Sequence, residues 1–336
     1  MNKLILSLLA LVLLAGCGNN NAPDVSGIKV SAAVQRFDRD FFSADTSHII
    51  ESLQAVDKKY PYFFTDFIKN IVIGGSNDTL HNLPLVLNNY ISHTRPLYDS
   101  VQLQFRDMSS VEKELTKGFQ YVKYYYPGYK LPQVLTYVGL IGDPSVALTK
   151  DAMAIGLQMY LGKNFSAYNT LEAIDKFPQY ISRRFDPQYI SVNCMQNIAQ
   201  DIYPDKAQGQ TMIEQIIEKG KQWWLADKFL PGTADSLKTG FTQAQADWCK
   251  ANEGLVWNYI SQNHDIFTTE PITIQNFIGE SPKTDGMPDA SPGNIGQWIG
   301  WRIVQTFAEK NTGMNVRQVL ETDAKKIFEG AKYKPR

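Results

Sequence analysis

Residues 294–311 read NIGQWIGWRIVQTFAEKN and predict one helix of the folded body. Gly296 and Gly300 lie about one helical turn apart in this stretch. Because glycine has no side chain, a neighbouring backbone can approach the helix closely along that face. The preceding loop, residues 281–293, is rich in proline and glycine. We therefore expect close helix packing in this part of the chain.

Helix-start signals recur along the chain from residue 186 onward. Asp186 can cap a helix, and Pro187 is favoured at the first helical position. Three further sites place Glu or Gln three residues after a capping residue, which is the capping-box pattern: Thr211 with Glu214, Thr242 with Gln245, and Asn315 with Gln318. They predict helices that end near residues 229, 262 and 330. The C-terminal half is thus predicted to be helical.

The middle of the chain predicts a helix followed by a sheet. Ser109 and Glu112 form a fourth capping-box pattern, which opens a predicted helix over residues 108–126. Apolar and β-branched runs then predict strands, whose close spacing favours an antiparallel or mixed sheet over repeated βαβ units: residues 134–141, 146–149 and 152–160. The predicted fold class is α+β and mostly helical, with a small antiparallel or mixed sheet followed by a helical C-terminal half.

The N-terminus, MNKLILSLLALVLLAGC, has the pattern of a lipoprotein signal. Its apolar run is shorter than the roughly 20 residues needed to span a bilayer. Residues 1–16 are the predicted signal peptide, and Cys17 is the predicted lipid-attachment residue. An ordinary secreted protein is the alternative. Residues 17–30 are predicted as the lipidated cysteine and a flexible tether, and residues 31–336 as a single domain.

Composition and cysteine content bear on two questions: whether the chain binds nucleic acid and whether it contains a disulfide. The chain balances 33 Lys and Arg against 34 Asp and Glu, interspersed along its length, which gives no indication of nucleic-acid binding. Apart from Cys17, only Cys194 and Cys249 are present. They could form a disulfide in an oxidising compartment, but both lie in helical patterns, so two buried free thiols are favoured.

Residue patterns for familiar catalysts are missing from the sequence. No two of its four histidines stand four residues apart, which excludes a helical zinc-protease motif, and no Gly-x-Ser-x-Gly elbow occurs. Asp143 with Asp151 could be imagined as an acid and a base, although solvated turns are favoured. The pair Arg183-Arg184 could bind an anion, but a solvated face or an ion pair is favoured.

Four separate stretches carry a resemblance to a known family: residues 155–162 (IGLQMYLG), 177–181 (FPQYI), 291–304 (SPGNIGQWIGWRIV) and 316–328. In the same order along the chain, they resemble the gliding-motility lipoprotein GldB family of the Bacteroidetes. The similarity covers most of the chain after residue 30 and agrees with the lipoprotein signal.

That family is itself similar to predicted zinc peptidases, which implies a zincin-like scaffold. In those peptidases a helix bearing His-Glu-x-x-His precedes a second helix that supplies a glutamate ligand. We align this order of helices with the present sequence. The alignment places Asn193 and Asn197 at the positions of the two histidines and Cys194 at that of the general-base glutamate. Glu218 stands at the position of the glutamate ligand, which is retained. Neutral amides hold zinc poorly. The resemblance therefore implies a vestigial cleft with no catalytic residues, metal or cofactor.

The resemblance implies a non-enzymatic envelope lipoprotein that is a component or assembly factor of the gliding and type IX secretion machinery. Its expected partners are the membrane, through the lipid anchor, and other envelope lipoproteins or secretion and gliding proteins. A cryptic periplasmic hydrolase and a peptide-binding lipoprotein remain as alternatives. Residues 18–21, GNNN, lack an acidic export signal. We therefore expect the body to face the periplasm, from the inner leaflet of the outer membrane rather than from the cytoplasmic membrane.

Overall fold

The computed structural model describes residues 22–75 and 82–335. The signal peptide and Cys17 lie outside the described residues. Within them, helices surround a small four-stranded sheet, which confirms the predicted α+β class.

Helices dominate residues 37–125, where the residue patterns predicted only the last helix. The helices are α1 (Phe37–Phe42), α2 (Ile49–Lys59), α3 (Phe64–Phe67), α4 (Leu83–Gln104) and α5 (Ser109–Tyr125). α3 continues directly into a π-helical turn at Ile68–Val72.

The sheet is mixed, one of the two predicted alternatives. The strands are β1 (Val34–Gln35), β2 (Gln133–Tyr137), β3 (Val146–Leu148) and β4 (Ala152–Gly156). Their order is β1-β2-β4-β3, in which β2 pairs in parallel with both β1 and β4, and β3 runs antiparallel to β4. β2 and β4 are shorter than predicted, since extended pairing stops after Tyr137 and the chain enters a 3₁₀ turn at Leu157–Met159.

A buried carboxylate ties the first helix to the sheet. Asp38 is only 1% exposed and accepts hydrogen bonds from Thr136 Oγ1 at 2.5 Å, Gln102 Nε2 at 2.8 Å and Arg36 Nη2 at 2.7 Å. A buried charge is tolerated when it is paired and hydrogen-bonded in this way. The network joins α1, α4 and β2.

After residue 186 the chain is mostly helical, as predicted, with more breaks than the patterns showed. Two short helices that the patterns did not predict, Leu171–Lys176 and Gln179–Ser182, come before this region. The predicted helix from residue 242 to 262 is interrupted at Asn252, and the predicted last helix is interrupted at Thr322, after which Asp323 caps a new helix. The helices are α6 (Leu171–Lys176), α7 (Gln179–Ser182), α8 (Ile190–Ile202), α9 (Met212–Phe229), α10 (Asp235–Thr239), α11 (Gln243–Ala251), α12 (Glu253–Asn263), α13 (Pro271–Ile278), α14 (Ile295–Lys310), α15 (Val316–Glu321) and α16 (Ala324–Ala331).

Three of the four predicted capping boxes form, at Thr211, Thr242 and Asn315. The fourth prediction, Ser109 with Glu112, is wrong. Asp107 accepts the bond from the Ser109 amide at 2.9 Å, and Glu112 Oε1 instead accepts the Val34 amide at 2.8 Å. The Glu112 carboxylate, which the local pattern assigns to the cap, instead accepts a long-range hydrogen bond from Val34 of β1.

Helices α9 and α14 make the most extensive helix–helix contact among the described elements, and they meet at glycines. A methyl group at Gly300 would collide with the Ile216 carbonyl group, and one at Gly220 would collide with the backbone of Gly300. A methyl group at Gly296 would lie 2.9 Å from the Phe277 carbonyl oxygen. The close approach predicted from Gly296 and Gly300 is confirmed.

The folded body starts earlier than the predicted boundary at residue 31. Val25 has no exposed surface, and Gln120 Nε2 donates to the Ile28 carbonyl oxygen at 3.1 Å. The predicted tether over residues 17–30 is therefore too long, because its last residues pack along α5. No helix among the described residues is both long and apolar enough to cross a membrane.

Replacing Gly300 with alanine tests the helix contact. Gly300→Ala must push α9 and α14 apart at backbone atoms, so we expect the free energy of unfolding to fall by about 1–3 kcal/mol in urea denaturation. The control is Gly313→Ala, where the added methyl group meets open space. Equal stability of the two variants would contradict the contact.

Candidate functional site

A polar pocket of about 280 Å³ lies between α8, α9 and the start of α14. This is the region where the resemblance to peptidases places a vestigial cleft. We call it the amide pocket, because Asn and Gln side chains supply much of its wall. The residues relevant here are Asn193, Gln196 and Gln200 of α8, Lys219, Gln222 and Trp223 of α9, and Asn294 and Gln297 at the start of α14.

The two predicted histidine replacements do not converge in the amide pocket. Asn193 lines it, and its Nδ2 donates to the Tyr160 hydroxyl at 2.8 Å. Asn197 turns its amide back along α8, where Nδ2 donates to the Asn193 carbonyl oxygen at 2.9 Å. Asn197 does not line the pocket. The pair therefore does not reproduce two ligands pointing at one ion.

Cys194 lies in the hydrophobic core and does not line the amide pocket. It has no exposed surface, and burial raises the pKa of its thiol well above the ordinary value. A neutral thiol in the core cannot activate water. Cys249 is also buried, and both cysteines are free, so the disulfide alternative is wrong and the favoured interpretation is confirmed.

Glu218 faces away from the amide pocket. One carboxylate oxygen accepts from Lys221 Nζ at 2.6 Å and the other from the Tyr203 hydroxyl at 2.7 Å. Lys221 also donates to the Thr322 carbonyl oxygen at 2.7 Å, and burial lowers the pKa of its ammonium group. The buried pair links α9 to the α15–α16 connection. Of the four predicted cleft residues, only Asn193 lines the pocket.

Charged groups at the rim of the amide pocket are paired. Arg184 binds the Glu280 carboxylate through both terminal nitrogens, at 3.1 and 3.2 Å, and Lys219 pairs with Asp205. Arg183 donates to the Gly240 carbonyl oxygen at 2.8 Å. For Arg184 the favoured ion-pair interpretation is thus confirmed.

The other residues considered as catalytic or metal-binding candidates do not come together in one site. Asp151 pairs with Lys130, while Asp143 accepts from the Leu140 amide at 2.6 Å and has a pKa raised by burial, so the two carboxylates serve separate turns. In residues 22–75 and 82–335, no three His, Cys, Asp or Glu side chains are placed to hold a metal ion.

The residues that line the amide pocket carry no sequence motif. Gln196, Gln222 and Gln297 are ordinary polar positions on three helices. Their convergence depends on the packing of α8, α9 and α14, and only the polar stripe of α8 could have indicated it.

The Glu218–Lys221 pair gives a stability test. Glu218→Gln leaves a buried ammonium group without its counter-ion, so we expect the free energy of unfolding to fall by about 3 kcal/mol or more. Glu329→Gln, at an exposed helix position, is the control. Urea denaturation at neutral pH measures both. A Glu218→Gln protein as stable as the control would show that the pair is unimportant.

Of the comparisons with known proteins, the one with protein families matches nearly the whole length of this chain. A family profile described as gliding motility protein GldB matches residues 18–335. No curated protein and no solved structure matches the chain. Because the profile covers far more than half of the sequence, the chain belongs to the family of the gliding motility protein GldB.

Proposed function

We propose that the protein is a lipid-anchored, non-enzymatic component or assembly factor of the machinery for gliding and type IX secretion. The family membership supports a role in the cell envelope. The position of Cys194 carries the non-enzymatic part of the proposal. The residue aligned with a general base is a fully buried thiol, so water cannot reach it.

The other cleft positions support the same conclusion. Glu218 is committed to Lys221 and Tyr203, and Asn197 is bonded within its own helix. These side chains stabilise the folded body where a peptidase would hold metal and water. Under this proposal, the resemblance to peptidases implies a shared scaffold and no shared chemistry.

The short connection to Cys17 supports anchoring as a central requirement. Val25 is already buried, so the seven residues 18–24 separate the predicted lipid from the core. Fully extended, they reach about 25 Å. The lipid would hold the body close to the membrane surface, where it meets other envelope proteins of the same machinery. We propose that this surface is the periplasmic face of the outer membrane.

Removing the anchor tests the function. The variant joins the signal peptide of an ordinary secreted protein to Gly18, so that no lipid is attached and no uncleaved signal remains. In a strain lacking the native gene, we expect the variant to be folded, to leave the membrane fraction and to fail in restoring secretion or gliding, since acyl-chain burial supplies the membrane affinity. Cell fractionation, the secreted protein profile and colony spreading are measured.

The matched control carries a different lipoprotein signal that retains Cys17. It should fractionate with membranes and restore the phenotype. Full restoration by the unanchored variant would contradict the proposal. A protease-accessibility assay on intact cells tests the orientation, because a body facing the periplasm is protected until the outer membrane is opened.

A further inference from the structure

The orientation of the amide groups around the amide pocket is determined by their hydrogen bonds. Gln196 Nε2 donates to the Lys238 carbonyl oxygen at 2.7 Å, and Gln297 Nε2 donates to the Ile278 carbonyl oxygen at 2.5 Å. Gln222 Nε2 lies 3.4 Å from the Tyr203 carbonyl oxygen. A carbonyl oxygen only accepts, so the NH₂ end of each side chain must face it.

The oxygen ends of these side chains are therefore the free ends. Among the residues that the structure describes, none donates a hydrogen bond to the side-chain oxygen of Gln196, Gln222 or Gln297, and none of these oxygens is fully buried. Asn294 repeats the arrangement, since its Nδ2 donates to Glu280 at 3.3 Å. The wall of the amide pocket thus presents several hydrogen-bond acceptors together.

The charges beside these acceptors are compensated locally. Arg184 is paired with Glu280, and Lys219 with Asp205. An anion would meet the amide oxygens, and a cation would meet Arg184 and Lys219. The amide pocket is therefore suited to an uncharged ligand that donates several hydrogen bonds.

One wall of the pocket is aromatic. Trp223 lines it and is partly buried, with edge-to-face contacts to Phe241 and Trp301 at ring-centroid distances of 6.0 and 6.3 Å. These contacts hold the indole in place. A rigid aromatic surface beside a row of acceptors matches a ligand with an apolar C–H face and a hydroxylated edge.

We propose that the amide pocket binds a neutral saccharide unit, whose hydroxyl groups donate to the amide oxygens and whose C–H face packs on Trp223. A peptide fits less well, because its carbonyl groups would face acceptors as often as its N–H groups would. The inference is independent of the anchoring role.

The test measures binding of a defined panel to the purified full-length protein in detergent by isothermal titration calorimetry. The probes are maltose, cellobiose, lactose and N,N′-diacetylchitobiose, with inorganic phosphate as the charged comparison. We expect at least one disaccharide to bind with a Kd below about 1 mM. Failure of every disaccharide to reach this affinity, or tighter binding of phosphate, would overturn the proposal.

Two variants locate the binding. Gln200→Ala removes an exposed amide at the rim for which the structure shows no hydrogen bond within the described residues, so folding should be unaffected. We expect it to weaken binding by about 3- to 10-fold. Trp223→Leu should weaken binding at least as much. Gln262→Ala, at another exposed helical glutamine, is the control and should bind as the native protein does.

Thermal unfolding confirms that each variant is folded, and Gln200→Ala keeps the test valid if Trp223→Leu unfolds. If Gln200→Ala and folded Trp223→Leu both bind saccharide as tightly as the native protein, the binding site lies elsewhere on the protein. That result would contradict the assignment to the amide pocket.

Discussion

The contact of α9 with α14 at backbone distance is the constraint on which the rest of the C-terminal half depends. Gly220 and Gly300 permit the two helices to touch without intervening side chains. Once this face of α9 is fixed, its other faces are fixed as well. Glu218 and Lys221 must turn toward Tyr203 and Thr322, whereas Lys219, Gln222 and Trp223 turn toward α8 and form the amide pocket.

Local chemistry explains which parts of the fold could be predicted. A capping box joins two residues that are three positions apart, and those at Thr211, Thr242 and Asn315 form as the residue types indicate. The pattern fails at Glu112, where the Val34 amide competes for the carboxylate. β1 has only two residues and exists because it pairs with β2, about a hundred residues away in the chain. Such pairing leaves no periodic signal in so short a segment.

The alignment with peptidases places a vestigial cleft on α8 and α9, and that cleft stays a prediction. A polar pocket does lie beside these helices, but Cys194 packs in the core and Glu218 belongs to a buried ion pair. A motif alignment gives the helix but not the rotation of the helix, which tertiary packing decides. The convergence of the amide groups of Gln196, Gln222 and Gln297 could not be predicted, because the three residues lie on different helices and form no sequence motif.

The four residues that the predicted alignment with zinc peptidases assigns to metal chemistry contribute instead to packing and to internal hydrogen bonds: Asn193, Cys194, Asn197 and Glu218. Mass spectrometry of the purified full-length protein, after incubation with zinc and dialysis, measures whether these residues retain a metal ion. We expect no stoichiometric zinc, because Asn193, Asn197 and Glu218 do not converge on one point. A stoichiometric, dialysis-resistant zinc ion that is lost on substituting these three residues would contradict it.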